Sequence, residues 1–270
     1  MSPVSDLYGQ SHTNHSRVPV LGDELATLWD VDPRGRVLGD AHHLVVAAGP
    51  EGLLGKIGAH LPEKLAEALT GLLPGAVNAE DVLVRARALL AAGLGPVAVS
   101  SGPSYLVPPG VEYPSPTKPV RSDRGETRLV RSDGGEADAV RAARPVGWTP
   151  GEWVGLLAGR HGPWAMAVEG DEVVAICHTP VSAPVGAEAG VWTHPGHRGR
   201  GLAAAVTAGW AAAFPDATRR LFYSTDRANR SSQRVAARLG LRHIGDIWKL
   251  SVPGREDQHA HRPWITSADS

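Results

Sequence analysis

At 270 residues, with 42% hydrophobic side chains and a formal net charge of −1, the chain has enough apolar mass for one or two ordinary cores. It carries no global charge that would draw it to nucleic acid or an anionic membrane, and no basic run with interleaved aromatics. Its single cysteine, Cys177, rules out an internal disulfide and a cysteine-built zinc cluster, and no metal site is expected. No run approaches the ~20 apolar residues of a membrane-spanning helix. Residues 1–18 lack the basic head and apolar stretch of a secretory signal, so the expected location is cytoplasmic.

In chain order, residues 1–18 are polar and patternless and read as a tail. Leu44–Ala48 (LVVAA) reads as a buried strand. Pro62–Leu73 starts with a proline suited to a first helical turn and repeats leucine at helical spacing. Ala79–Ala92 is a second helix, capped by Asn78, with Leu83, Ala86 and Leu90 on one face. Val97–Ser100 reads as a strand. The segment 116–144 is proline-rich, then charged and glycine-rich; it is the expected linker, with Thr127–Val130 a candidate short strand inside it.

Beyond Val146 the pattern sharpens. Thr149 can cap a short helix carrying Trp153, Leu156 and Leu157. Trp164–Val168 and Glu172–His178 flank Glu169-Gly170-Asp171, which predicts a hairpin with Glu169 and Asp171 as turn residues. Cys177 lies in the apolar run VVAIC and reads as a buried strand residue. Then follow a strand Gly186–Thr193, an alanine-rich helix Gly201–Phe214, a strand Leu221–Thr225, a helix Asn229–Leu239 and a strand Ile244–Val252. A hairpin followed by strand–helix–strand–helix–strand implies an α/β sandwich with helices on both sheet faces.

The chemistry concentrates between the strand and the alanine-rich helix, in His197-Arg198-Gly199-Arg200-Gly201-Leu202-Ala203. Glycines at alternate positions permit a close backbone approach and left-handed conformations. The free amides and dipole of the following helix make an anion site, to which Arg198 and Arg200 add cationic side chains. His194 and His197 read as ligands of the same anion or as solvent groups. No Gly-Lys-Ser/Thr triplet follows, so this is no P-loop; Ala204 stands where a dinucleotide fingerprint needs its third glycine.

The run VWTHPGHRGRGLAAAV resembles the coenzyme-binding motif of the GNAT superfamily, Arg/Gln-x-x-Gly-x-Gly/Ala, with Gly199 and Gly201 at its glycine positions. Gly196 falls where the motif begins with Arg or Gln. A second stretch, Asn229 to Leu241 (NRSSQRVAARLGL), resembles the family's last helix, at the spacing the family requires. The resemblance covers about residues 145–252. It implies a GNAT-like mixed sheet with helices on both faces, preceded by a smaller α/β domain over 19–115, a candidate degenerate copy of the same fold. The expected division is 1–18 tail, 19–115 first domain, 116–144 linker, 145–252 catalytic domain and 253–270 tail.

The resemblance further implies an acyltransferase with acetyl-CoA, or another acyl-CoA, as co-substrate and a small-molecule amine as acceptor. The coenzyme would lie between splayed strands Gly186–Thr193 and Leu221–Thr225, against Val191, Trp192 and Thr193, its diphosphate on Arg198, Gly199, Arg200, Gly201, Leu202 and Ala203, with Asn229 and Ser232 also in contact. Glu188 lies near the position of the family's proton-accepting carboxylate. The family's usual tyrosine acid, seven residues after the helix-opening asparagine, is Ala236 here, so Ser232 and Tyr223 are the candidate proton donors. The departures at Gly196 and Ala236 also allow a non-catalytic acyl-CoA-binding sensor or partner module.

Overall fold

The computed structural model describes residues 20–108, 110–113, 126–135, 137–141, 143–215 and 218–254. The expected tail 1–18, residues 255–270 and the proline-rich start of the expected linker lie outside the described residues.

The elements run α1 (Val20–Leu28), β1 (His42–Gly49), β2 (Gly52–Ile57), α2 (Glu63–Thr70), α3 (Ala79–Leu94), β3 (Ala98–Val107), β4 (Thr127–Arg131), α4 (Pro150–Leu157), β5 (Trp164–Glu169), β6 (Glu172–His178), β7 (Ser182–Ala183), β8 (Gly186–Glu188), β9 (Gly190–Thr193), α5 (Leu202–Ala212), β10 (Arg220–Ser224), α6 (Arg230–Arg238) and β11 (Arg242–Ser251). Local chemistry accounts for their ends. The Asn78 side chain accepts from the Asp81 amide and starts α3, while Thr149 and Glu152 close a reciprocal capping box on α4. Gly170, at φ +59°, turns the β5–β6 hairpin, and Gly240, at φ +62°, stops α6.

The strands form two sheets. The antiparallel order β4-β5-β6-β9 makes the smaller one; the larger runs β2-β1-β11-β3-β10-β8-β7. The larger sheet is antiparallel except where β8 runs parallel to β10, Glu188 opposite Phe222. Helices cover both faces. α5 and α6 pack on Ala165, Ala175, Cys177, Ala187, Leu221 and Tyr223; α4 covers Trp164, Met166 and Ile176 on the other side of the small sheet. Leu21 and Leu25 of α1 pack with Val45, Phe222, Ile244 and Ile247 on the opposite face of the large sheet, and α2 and α3 close the core over Leu44, Val46 and Leu250.

The structure differs from the sequence reading in several places. The expected strand Gly186–Thr193 is two: β8 pairs with β10, and after Ala189 the chain crosses to pair, as β9, with β6. α1 and β2 are elements the apolar pattern did not single out, and β3 continues well past Ser100 through Ser-Gly-Pro-Ser. Strands of the first half also enter the larger sheet. β3 lies between β10 and β11, hydrogen-bonded to both, and β1 pairs with β11 on its other edge. Strands from 42–107 thus complete a sheet whose other members come from 182–251. On α3, Val82 rather than Leu83 joins Ala86 and Leu90 on the fully buried face.

Candidate active site

β8 and β10 are hydrogen-bonded only over three residue pairs. The last bond of that contact is the Ala189 amide to the Phe222 carbonyl, 2.9 Å. Beyond it, β9 leaves for the small sheet, where it is the edge strand, and a cleft opens between β9 and β10. The expected splay between the strand holding Val191, Trp192 and Thr193 and the strand holding Tyr223 is therefore present, created by the crossing at Ala189.

At the wide end of this cleft the chain makes one 3-10 turn, Pro195–His197, then two glycines in left-handed conformation, Gly199 (φ +79°) and Gly201 (φ +84°), before α5 begins at Leu202. A β-carbon on Gly201 would sit 2.6 Å from the Tyr113 hydroxyl oxygen and 3.1 Å from Arg238 Nη1; one on Gly199 would meet nothing within 4 Å. The turn is thus a cradle of helix-end amides with Tyr113 and Arg238 converging over it, two residues that the motif alone did not single out. Arg198 is exposed at its rim. Arg200 Nη2 donates to Glu169 Oε2 at 2.8 Å. Glu169 is correspondingly no solvent-facing turn residue. It is buried, accepts from Thr127 Oγ1 at 3.0 Å, and stands 3.7 Å from His197 Nε2, so it ties the glycine turn to the end of β5. His197 is buried and lies 3.1 Å, nitrogen to nitrogen, from His194.

At the narrow end sits Glu188, 5% exposed. Its Oε1 accepts from both the amide and the hydroxyl of Ser224, at 2.6 and 2.8 Å; its Oε2 has no hydrogen-bond donor among the described residues. Burial raises its pKa to about 7, against the opposing pull of the two Ser224 donors and of Lys249. Because Glu188 is in register with Phe222, its side chain points to the face covered by α1, where Glu24 meets it. Glu24 is fully buried, accepts a hydrogen bond from Ser104 Oγ, and is pushed well above the ordinary carboxylate range by burial and by Glu188.

Tyr223, one residue along β10, points to the opposite face, toward α5 and α6. Burial raises its pKa, while the nearby Ser232 hydroxyl favours the ionised form; no well-aligned hydrogen bond joins the two. Asn229 caps α6, its Oδ1 accepting from the Ser232 amide at 3.0 Å. Ala236 lies beneath α6 with no exposure, packed in the same core as Tyr223. Thr193 Oγ1 on β9 is buried without a hydrogen-bond partner among the described residues. Trp192 is half-buried, edge-on to His194 at 6.2 Å. Cys177 is a core residue whose burial raises its pKa, as its apolar neighbours imply. Of the expected residues, then, Glu188 faces α1, Tyr223 faces the core under α5 and α6, and Gly199, Gly201, Leu202 and Ala203 form the turn and start of α5. Glu24, Ser104 and Ser224 were missed. Glu24 did carry a signal: with Leu21, Leu25 and Leu28 it falls at helical spacing, a carboxylate on an apolar face.

The family model described as GNAT acetyltransferase matches residues 159–247, a segment holding Glu188, the glycine turn, Tyr223 and α6. Solved structures similar to the chain include a protein described as a GNAT-family acetyltransferase from Novosphingobium aromaticivorans, at 21% identity over 57% of this chain and 66% of that one, TM-score 0.37. Others are a Drosophila protein, at 17% identity over 64% and 58%, TM-score 0.43, and a GCN5-related N-acetyltransferase from Kribbella flavida, at 20% over 86% and 93%, TM-score 0.44. The chain spans 66% and 58% of the first two. No curated protein matches it. Residues 159–247 are thus similar to the GNAT acetyltransferase family. Among the described residues no helix is long and apolar enough to cross a membrane.

Proposed function

We propose that the protein is an acyl-CoA-dependent N-acyltransferase, with acetyl-CoA as co-substrate, that transfers the acyl group directly to the amine of a small-molecule acceptor. The observation that carries the reading is Glu188, a buried carboxylate on β8 with one oxygen held by Ser224 and the other without a donor among the described residues. The family's co-substrate supplies an acyl group activated as a thioester.

The site fits such a ligand on its own chemistry. Gly201 is left without a side chain where one would strike Tyr113, and the amides at the start of α5, with the helix dipole, favour a diphosphate. Val191, Trp192 and Thr193 on the edge strand offer backbone groups to an extended chain, and among the described residues the Thr193 hydroxyl has no partner, which leaves it to a ligand. Asn229 and Ser232, at the capped start of α6, are the proposed further contacts.

Glu188 takes up the proton lost by the amine, which requires its ionised form. Tyr223, kept protonated by burial, is the nearby group able to give a proton to a leaving thiolate, with Ser232 beside it. From the strand register, the Glu188 and Tyr223 side chains point to opposite faces of the large sheet. Ala236 in place of the family's tyrosine favours a second reading, a non-catalytic acyl-CoA-binding module. The test is calorimetric titration with acetyl-CoA followed by thiol release with DTNB across a panel of primary amines. Binding with turnover supports the enzyme; binding without turnover on any amine supports the module; no binding removes both.

A further inference from the structure

Two carboxyl groups from distant parts of the chain meet under α1. Glu24 and Glu188 are each buried, and each has one oxygen already occupied: Ser104 Oγ donates to Glu24 Oε1, and the Ser224 amide and hydroxyl donate to Glu188 Oε1. Ser104 and Ser224 face each other across the β3–β10 pairing. The remaining oxygen of each glutamate, Oε2 in both, is buried with no donor among the described residues. Two adjacent carboxylates, each with an unsatisfied buried oxygen, are costly twice over, through desolvation and through mutual repulsion. One proton held between them removes both penalties.

We infer that Glu24 is a positioning residue of the site, forming with Glu188 a carboxyl–carboxylate pair that carries a single proton, held on Glu24 and donated toward Glu188. The inference rests on the proposed role of Glu188 as acceptor of the amine proton. Glu24 lies outside residues 159–247, on a helix that the first part of the chain adds to the fold. In the pair, Glu188 is the member that ionises, because Ser224 and Lys249 favour its charge, whereas among the described residues Ser104 alone favours that of Glu24. The amine's proton then moves to Glu188 while Glu24 keeps its own, so the pair passes from one proton to two and returns to one when solvent removes the second.

The other charged and titratable groups around the pair are few. Asp23 on α1 is engaged by Arg220 of β10 at 2.6 Å. Tyr223 on β10, Tyr105 on β3, and Cys177 and His178 on β6 are neutral at pH 7: burial raises the tyrosines and the thiol and lowers His178 to about 3. Lys249 on β11 is the positive charge that acts on Glu188.

The test is a pH titration of the full chain without coenzyme, labelled with carbon-13 at the glutamate side-chain carboxyl and assigned with Glu24→Gln and Glu188→Gln. One glutamate carboxyl should stay protonated above the Glu188 midpoint, and its signal should vanish in Glu24→Gln. Glu24→Leu, which fills the space but donates nothing, should move the Glu188 midpoint up by about one unit, and Glu24→Gln, whose amide still donates, should restore it. On the rising limb of a pH–rate profile that unit is about a tenfold loss for the leucine variant. Ionisation of both carboxyls in one step, or a Glu188 midpoint unmoved by leucine, overturns the inference. Should Glu24→Leu fail to fold, Ser104→Ala is the second variant: loss of that donor should raise the Glu24 midpoint, and an unchanged midpoint counts equally against the pair. A shared proton in a protein that binds no acetyl-CoA would leave the pair standing and sink only the proposed function.

Discussion

Replacing Gly201 by alanine probes the glycine turn, with Gly199→Ala as its internal control. Both glycines have φ near +80° (+84° and +79°), a region that costs an ordinary L-residue about 1–2 kcal/mol. At Gly199 that is the whole expected effect, because a β-carbon there meets nothing within 4 Å. At Gly201 the new methyl would lie 2.6 Å from the Tyr113 oxygen and 3.1 Å from Arg238, so the ring and the guanidinium must withdraw from above the turn. With about 2–4 °C lost per kcal/mol in a domain of this size, Gly199→Ala should lower Tm by roughly 2–8 °C and Gly201→Ala by more. Acetyl-CoA affinity should separate the two further: about tenfold or more is lost in Gly201→Ala, where a displacement worth 1.4 kcal/mol is enough. Thermal unfolding and calorimetry on both variants read the two effects. A Gly201→Ala protein that unfolds and binds like the wild type would refute the cradle as a close-approach site.

Glu188→Gln should lower kcat by about 10²–10⁴ with acetyl-CoA affinity retained, and wild-type activity should rise with pH through about 7 as Glu188 ionises; a profile flat across that range argues against Glu188 as base. Its folded pKa is raised above the ordinary 4.5, so the folded state binds more protons there and stability should fall as pH rises from about 4.5 to 7. Glu188→Gln should flatten that slope in urea unfolding measured against pH. Ala236→Tyr, which restores the family's residue type, should destabilise by about 1–3 kcal/mol or more rather than improve turnover, because Ala236 is fully buried in a packed core. A chain beginning at residue 126 should not fold on its own, since removing β3 leaves β10 and β11 without the strand that joins them; a dispersed amide NMR spectrum from it would contradict this.

Much of the fold was legible because its signals are local. Asn78, Thr149, Gly170 and Asn229 each set an element end within four residues, and the structure has a cap or turn at every one. Gly199 and Gly201 likewise announced a left-handed turn before a helix. Where the sequence misled, the cause was a partner far along the chain. Glu169 and Asp171 look alike beside Gly170, yet Glu169 is buried because Arg200 reaches back to it from the glycine turn. Gly186–Thr193 reads as one strand because nothing within it records that β10 will hold its first half and β6 its second.

The sequence by itself determined the composition of the cleft: a glycine turn opening a helix, a carboxylate on the strand before it, a tyrosine on the strand after, and a capped helix beyond. These rest on spacing and on backbone preferences within one or two turns of chain. Only the tertiary structure decided that β3 would stand between β10 and β11, and that α1 would bring Glu24 onto Glu188. Sheet order and the burial of one carboxyl against another depend on contacts between residues 80 and more positions apart, as Ser104 and Glu24 are. No local pattern encodes them.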